Sequence, residues 1–218
     1  MKYQNIVEAK FIARPNRFIA RVLLDGNELV VHVKNTGRCR ELLIPGCTVF
    51  LDKAQNPERK TPYDLVAVEN EGRIINIDSQ APNVVVKEWL LAQNHYDLVK
   101  PEHKYGDSRI DFYMEKGDEK FLMEVKGCTL FRDGIGYFPD APTERGAKHL
   151  RELAAAVKSG FNTSIAFVIQ GEGISEVRPN EETDPEFTRA FNKAKKAGVK
   201  IVFLKCKVTK DSLNIVAD

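Results

Sequence analysis

The chain has no apolar run of the ~18 residues that a membrane-spanning helix requires, so no membrane contact is expected of its 218 residues. Its opening, MKYQNIVEAKFIARP, lacks the apolar core and small-residue cleavage site of a secretory signal, which leads to the expectation of a cytoplasmic protein. Cysteine is sparse. Cys39, Cys47, Cys128 and Cys206 stand apart with no C-x-x-C pair, which argues for reduced thiols and against a zinc site or a disulfide framework. Internal repeats and low-complexity tracts are missing. The formal net charge is only +2, so bulk electrostatics names no polyanionic partner.

What is present is a local basic field. Lys10, Arg14, Arg17, Arg21, Lys34, Arg38 and Arg40 face only Asp25 and Glu28 over that stretch, and such a field attracts phosphates. The plainer alternative is a solvated strand surface that happens to be basic. Within the stretch, NTGRCRE sets Asn35, Thr36, Gly37, Arg38 and Arg40 at a loop-to-helix entry, where backbone donors and arginine forks can hold a phosphate. Tyr3, Phe11, Phe18 and Phe50 can stack bases, although filling a core is the commoner use of such residues.

The first eighty residues read as all-β. RFIARVLLDGNELVVHVKN gives two alternating runs joined at Asp25-Gly26-Asn27, a hairpin signal. CTVFLDKA and the hairpin YDLVAVENEGRIINID follow, and TGRCRELLIPG leaves room for one helical turn. Five or six short strands with one small helix suit an OB-like β-barrel, whose usual ligands are oligonucleotides or oligosaccharides. DSQAPN, residues 78–83, reads as a linker. Beyond it helices and strands alternate: a helix over NVVVKEWLLAQN capped by Asn83, a hairpin, a helix over PTERGAKHLRELAAAVKSG, the apolar strand NTSIAFVIQG, a helix opened by Asp184-Pro185, and the strand VKIVFLKCKV. The sum is a second domain with a central mixed β-sheet flanked by helices. Edge strands in either domain leave room for an oligomer.

The hairpin SRIDFYMEKGDEKFLMEVKGCTL carries the chemistry. Pairing across a loop at residues 116–119 sets Tyr113 opposite Leu122 and Asp111 opposite Glu124, with Ile110, Phe112, Met114, Phe121, Met123 and Val125 on one apolar face. The other face carries Asp111, Glu124 and Lys126. Opposed carboxylates about 5 Å apart repel by roughly 3 kcal/mol at an effective dielectric near 20. A divalent cation removes the conflict, and Mg²⁺ or Mn²⁺ suits a carboxylate pair that leaves room for waters and phosphate oxygens. Lys126, two residues after Glu124, can orient water or stabilise negative charge. The alternative is an exposed polar strand face.

Asp111, twelve residues, then Glu124-Val125-Lys126 resembles the D…ExK core of the PD-(D/E)xK nuclease superfamily. There a helix before the hairpin often supplies another acid. Glu88, set among Val84, Val85, Leu91 and Ala92, is the matching candidate for a third metal ligand, because a glutamate on an apolar face needs a partner or a cation; an ordinary surface glutamate is the alternative. Over nearly the whole chain HVKNTGRCRELLIPG, YDLVAVE, YGDSRIDF, MEVKGCTL and FPDAPTERGAKHLREL resemble blocks of the sugar fermentation stimulation protein A family. That resemblance implies an OB-like β-barrel over 1–80, a restriction-endonuclease-like domain over 81–218 and a prokaryotic cytoplasm. It also implies DNA binding without strong sequence preference and a regulatory link to sugar metabolism, maltose in particular.

Downstream of the hairpin, Arg132, Thr143, Arg145 and Lys148 are candidates for contacts to the DNA backbone. His149 can donate a proton, though a lone helix histidine is more often structural. Two functions stay open: a metal-dependent phosphodiesterase at Asp111, Glu124 and Lys126, or a DNA-binding regulator that keeps the nuclease fold without cleavage. A sugar- or protein-binding OB module is the third.

Overall fold

The computed structural model describes residues 1–35, 37–56 and 58–216. Thr36, one of the expected phosphate contacts, lies outside the described residues.

Strands β1 (Ile6–Ala13), β2 (Ile19–Leu24), β3 (Asn27–Val33), β4 (Thr48–Lys53), β5 (Tyr63–Asn70) and β6 (Arg73–Asn76) form one sheet in the order β3-β2-β1-β4-β5-β6. A parallel pairing of His32 with Asp64 and Val33 with Leu65 joins β3 to β5 and closes a five-stranded barrel, as the alternating pattern implies. Val22, Val31, Val49, Leu51 and Leu65 fill it. The expected small helix is one hydrogen-bonded turn, in which Leu43 N donates to Cys39 O at 2.9 Å. Of the four aromatics weighed for stacking, Tyr3, Phe11 and Phe50 are core residues and Phe18 is exposed.

Residues 78–83 are not a free linker. Asp78, Ala81 and Pro82 are buried. Asp78 accepts from Tyr3 Oη (3.1 Å), Gln80 N (2.9 Å) and Lys34 Nζ (2.8 Å). Gln170, from the far side of the junction, donates to Asn76 Oδ1 (2.9 Å) and Asp78 O (3.1 Å). A buried polar network with its groups satisfied rigidifies what it joins, so the barrel and the following sheet are held in one arrangement.

After the junction come α1 (Ala81–Ala92), β7 (Leu98–Tyr105), β8 (Ser108–Lys116), β9 (Glu119–Cys128), β10 (Leu130–Arg132), β11 (Ile135–Phe138), α2 (Glu144–Lys158), β12 (Asn162–Ile169), β13 (Val177–Pro179), α3 (Pro185–Lys196), β14 (Lys200–Thr209) and β15 (Ser212–Ile215). The main sheet runs β15-β14-β12-β9-β8-β7 and is mixed, with β12 parallel to both neighbours. β10, β11 and β13 make a small separate sheet. The apolar strand β12 is buried on both faces: Ala166 and Val168 pack toward α1, Ile165, Phe167 and Ile169 toward α2 and α3. This is the restriction-endonuclease-like layering that the resemblance implies. The chain's first residues reach back to the last hairpin, where Lys2 bridges Ser212. No helix among the described residues is long and apolar enough to cross a membrane.

Two helix starts differ from expectation. α1 is preceded by Gln80, with Pro82 in its first turn and no side-chain cap, so Asn83 is free for another partner. α2 is capped by Thr143, whose Oγ1 accepts from Gly146 N at 3.0 Å.

Candidate functional site

The β8–β9 register is the expected one, with Phe112 opposite Met123 and Tyr113 opposite Leu122. The turn is tighter than expected, because Lys116 pairs with Glu119 and only Gly117 and Asp118 are left between them. The alternation breaks at Asp111. Ile110 packs with Tyr113 and Leu122 beneath α2, while Phe112 and Met114 pack on the α1 side, so Ile110 does not share their face as the simple period required.

Asp111 and Glu124 follow the last paired residues of that ladder. Asp111 Oδ2 accepts from Val125 N at 2.7 Å and Oδ1 from Asn83 Nδ2 at 2.9 Å. The helix before the hairpin thus does reach the site, but through Asn83. Glu88 does not: its carboxylate takes the Met1 ammonium at 2.7 Å and is largely exposed. The apolar face of α1 is Ala81, Pro82, Val85, Val86 and Leu90, whereas Val84 and Leu91 are exposed. The stripe expected from Val84, Val85, Leu91 and Ala92 thus has only Val85 on the buried face, and Glu88 is engaged by the N-terminus.

Glu124 is 2% exposed. Its Oε1 accepts from Lys126 Nζ at 2.5 Å and from His149 Nδ1. Arg145 Nε donates to His149 Nε2 at 3.3 Å. A guanidinium can only donate, so Nε2 accepts and Nδ1 carries the hydrogen given to Glu124. Oε2 of Glu124 is buried with no hydrogen-bond partner among the described residues. Burial raises the proton affinity of Asp111, the Glu124 charge raises it further, and the net shift is upward. Burial acts the same way on Glu124, but Lys126 and His149 outweigh it and hold its carboxyl below the ordinary value. Glu124 is the committed anion of the pair and Asp111 the strained one.

Asp111 and Glu124 are the residues able to hold a metal. Among the described residues no cluster of three His, Cys, Asp or Glu is arranged for one. Two carboxylates with one buried oxygen unpaired nevertheless fit a hard divalent cation that keeps several waters in its shell.

Lys126 opens into a cleft of about 720 Å³ between the barrel and the second sheet, lined also by Arg17, Asn35, Arg38, Thr143 and Arg145. Gly127 makes the approach possible: a Cβ there would lie 2.2 Å from Gln170 Oε1 and 2.8 Å from Pro82 Cγ. Gly37 is equally tight, its Cβ position 2.2 Å from Asp140 Oδ2, and Asp140 accepts from Arg38 N at 3.0 Å. Asp140 thereby clasps the barrel loop to the second sheet.

The other expected contacts divide. Arg14 is a loop organiser, because its guanidinium donates to the carbonyls of Gly37 (2.8 Å), Arg38 (2.7 Å), Arg17 (2.7 Å) and Asn35 (2.6 Å), which leaves little of its fork for phosphate. Lys34 is committed to Asp78. Asn35 donates to Ile77 O at 2.7 Å. Arg40 is exposed on an adjoining groove with Arg17 and Arg38. Arg132 lines a different groove with Glu41 and pairs with Glu182 at 3.4 Å, so it is not brought to the cleft. Thr143 serves first as the α2 cap. Lys148 lines a separate hollow. The sequence undervalued His149, Asn83, Asp140 and Gln170. Only His149 had a signal, since it sits beside the buried stripe of Gly146, Leu150 and Leu153.

The chain matches two family models, "SfsA N-terminal OB domain" over residues 12–77 and "Sugar fermentation stimulation protein RE domain" over residues 80–212. It is 54% identical to a sugar fermentation stimulation protein homolog of Clostridium beijerinckii, over 99% of this chain and 96% of the relative. A homolog of the same name from Desulfitobacterium hafniense is 53% identical over 98% and 94%. Among solved structures it is similar to Pyrococcus furiosus SfsA in complex with Ca²⁺, with TM-score 0.86, 26% identity and coverage of 99% of this chain and 96% of that one.

Proposed function

The chain belongs to the sugar fermentation stimulation protein family, and on that footing we propose that it binds DNA with little regard to sequence and hydrolyses phosphodiester bonds at Asp111, Glu124 and Lys126 with Mg²⁺ or Mn²⁺. The observation that carries this is Oε2 of Glu124, buried and without a partner among the described residues, beside a second carboxylate whose proton affinity is raised. A site built to stay empty gains nothing from either feature. The Pyrococcus furiosus relative was solved with Ca²⁺, an ion with the same preference for oxygen ligands.

Asp111 and Glu124 hold the cation, which when bound supplies Lewis-acid charge to a phosphoryl oxygen. Lys126 presents its ammonium at the cleft wall, where a fixed cation stabilises charge that develops on the phosphate. His149 positions the carboxylate of Glu124, and Asn83 that of Asp111. Arg17, Arg38 and Arg145 carry phosphate contacts, which hold register and orientation but read no sequence. The relatives' names attach the family to sugar fermentation; in this reading the link is regulatory, runs through DNA in the cytoplasm, and maltose metabolism is the first place to look for it.

One observation favours a binder that does not cut. With Glu88 paired to the N-terminus, two carboxylates are left where a third was expected. The test covers both. Duplex DNA, single-stranded DNA and RNA are incubated with the protein in Mg²⁺, Mn²⁺ or EDTA, beside Asp111→Ala and Lys126→Ala. Cutting that needs the ion and disappears in both variants is expected. Cutting that survives both removes the assignment, and binding with no substrate cut leaves the regulator.

A further inference from the structure

On the far side of Arg145 from the cleft lies a hollow of about 540 Å³ whose charged walls are Arg109, Arg145, Lys148 and Arg151 against Asp107 and Glu144. It adjoins the reaction site: Arg145 lines both spaces, and His149, the partner of Glu124, lines the hollow as well. Two of its cations are weakly neutralised by their own neighbours, whereas Arg151 is closely paired with Glu186. Arg109 meets exposed Glu102 and Lys148 meets half-buried Glu152, each at 3.7 Å, and long pairs of this kind contribute little. The strand register sharpens the point. Arg109 on β8 lies directly opposite Lys104 on β7, both exposed, and like charges placed opposite one another destabilise a ladder. An anion at this edge would relieve that repulsion.

We infer that this hollow is a second phosphate subsite, which takes the sugar-phosphate backbone of a nucleic-acid strand beyond the phosphate held at Lys126. The inference rests on the reading of the cleft as a nucleic-acid site and adds the path of the strand: from Arg17 and Arg38 on the barrel, past Lys126, over Arg145 at the first turn of α2, and on to Lys148 and Arg109. The positive end of α2 favours the same charge there. The ligand is a phosphodiester chain and no single nucleotide is required, since the two spaces sit on either side of one arginine.

The experiment is equilibrium binding of labelled single-stranded and duplex oligonucleotides, short and long, over a salt series without divalent ions. Wild type is set beside the Arg109→Ala/Lys148→Ala double variant and a control that removes equal charge from the exposed end of α3, Lys195→Ala/Lys196→Ala. Each lost phosphate contact lowers the slope of log affinity against log salt by about 1. The double variant is expected to lose about 2 and to bind long oligonucleotides no better than short ones, while the control keeps the wild-type slope. A double variant that matches the control overturns the subsite and leaves the cleft standing. Inorganic phosphate that competes equally against every length marks a free-anion site and also overturns it. If wild type binds no oligonucleotide at any salt, the reading of the cleft fails and the subsite fails with it.

Discussion

His149→Ala tests the heart of the site without touching a residue assigned to the metal or the phosphate. His149 is 3% exposed and Glu124 2% exposed, so their bond is shielded from water. Among the described residues Glu124 accepts from two side chains, His149 and Lys126, both at Oε1. His149 donates as a neutral imidazole, so its loss costs what a hydrogen bond to a charged group contributes, about 1.5–3 kcal/mol, while Lys126 stays in place. For a chain of this size that is a drop of about 3–12 °C in Tm. The pH dependence has a definite sign. The carboxyl of Glu124 is held below its ordinary value of 4.5 in the folded protein, so its contribution is present above that value and is lost as pH falls through the folded value. The gap between wild type and His149→Ala therefore narrows in acid. Urea unfolding of wild type, His149→Ala, Glu124→Gln and the double variant measures the coupling, expected at about 1–3 kcal/mol. Additivity within about 0.5 kcal/mol, or an acid limb that His149→Ala leaves unchanged, refutes the account of how Glu124 is held.

Asp111→Asn keeps both hydrogen bonds, because its carbonyl can accept from Val125 N and Asn83 can turn its amide toward the new NH₂. The proton affinity of Asp111 is raised in the folded state, so wild type loses stability as pH rises from 3.8 through the folded value; in EDTA the variant should show no such loss at neutral pH. Mg²⁺ at 100 times its Kd stabilises wild type by about 2.7 kcal/mol and should leave Asp111→Asn unmoved in a thermal melt. Gly37→Ala drives a methyl into Asp140 and should cost about 1–3 kcal/mol while weakening DNA binding; wild-type stability would show that the clasp yields freely. Arg14→Lys keeps the charge but not the four carbonyl bonds, so Tm should fall with the salt slope of binding unchanged. A lower slope at unchanged Tm makes Arg14 a phosphate contact instead.

Local pattern was enough wherever the physics is local. Period-2 alternation and short turns determined the barrel strands and the β8–β9 register, because a one-residue slip would turn every side chain to the wrong face, whereas the break in the pattern at Asp111 came from packing. The buried run of β12 and the Asp184-Pro185 start of α3 were legible for the same reason. Partner choice across the chain was not. Glu88 found the Met1 ammonium 87 residues away, Arg38 met Asp140 across 102, and His149 met Glu124 across 25. Each of those pairings depends on how α1, α2 and the barrel loop sit on the sheet, which no period in the sequence encodes. The sequence determined the two-part architecture and where the carboxylates stand. Tertiary packing alone decided that Glu88 pairs with the N-terminus, that a histidine holds Glu124, and that one buried oxygen has no partner among the described residues, because burial and long-range pairing, rather than spacing, set which charges a folded chain leaves unsatisfied.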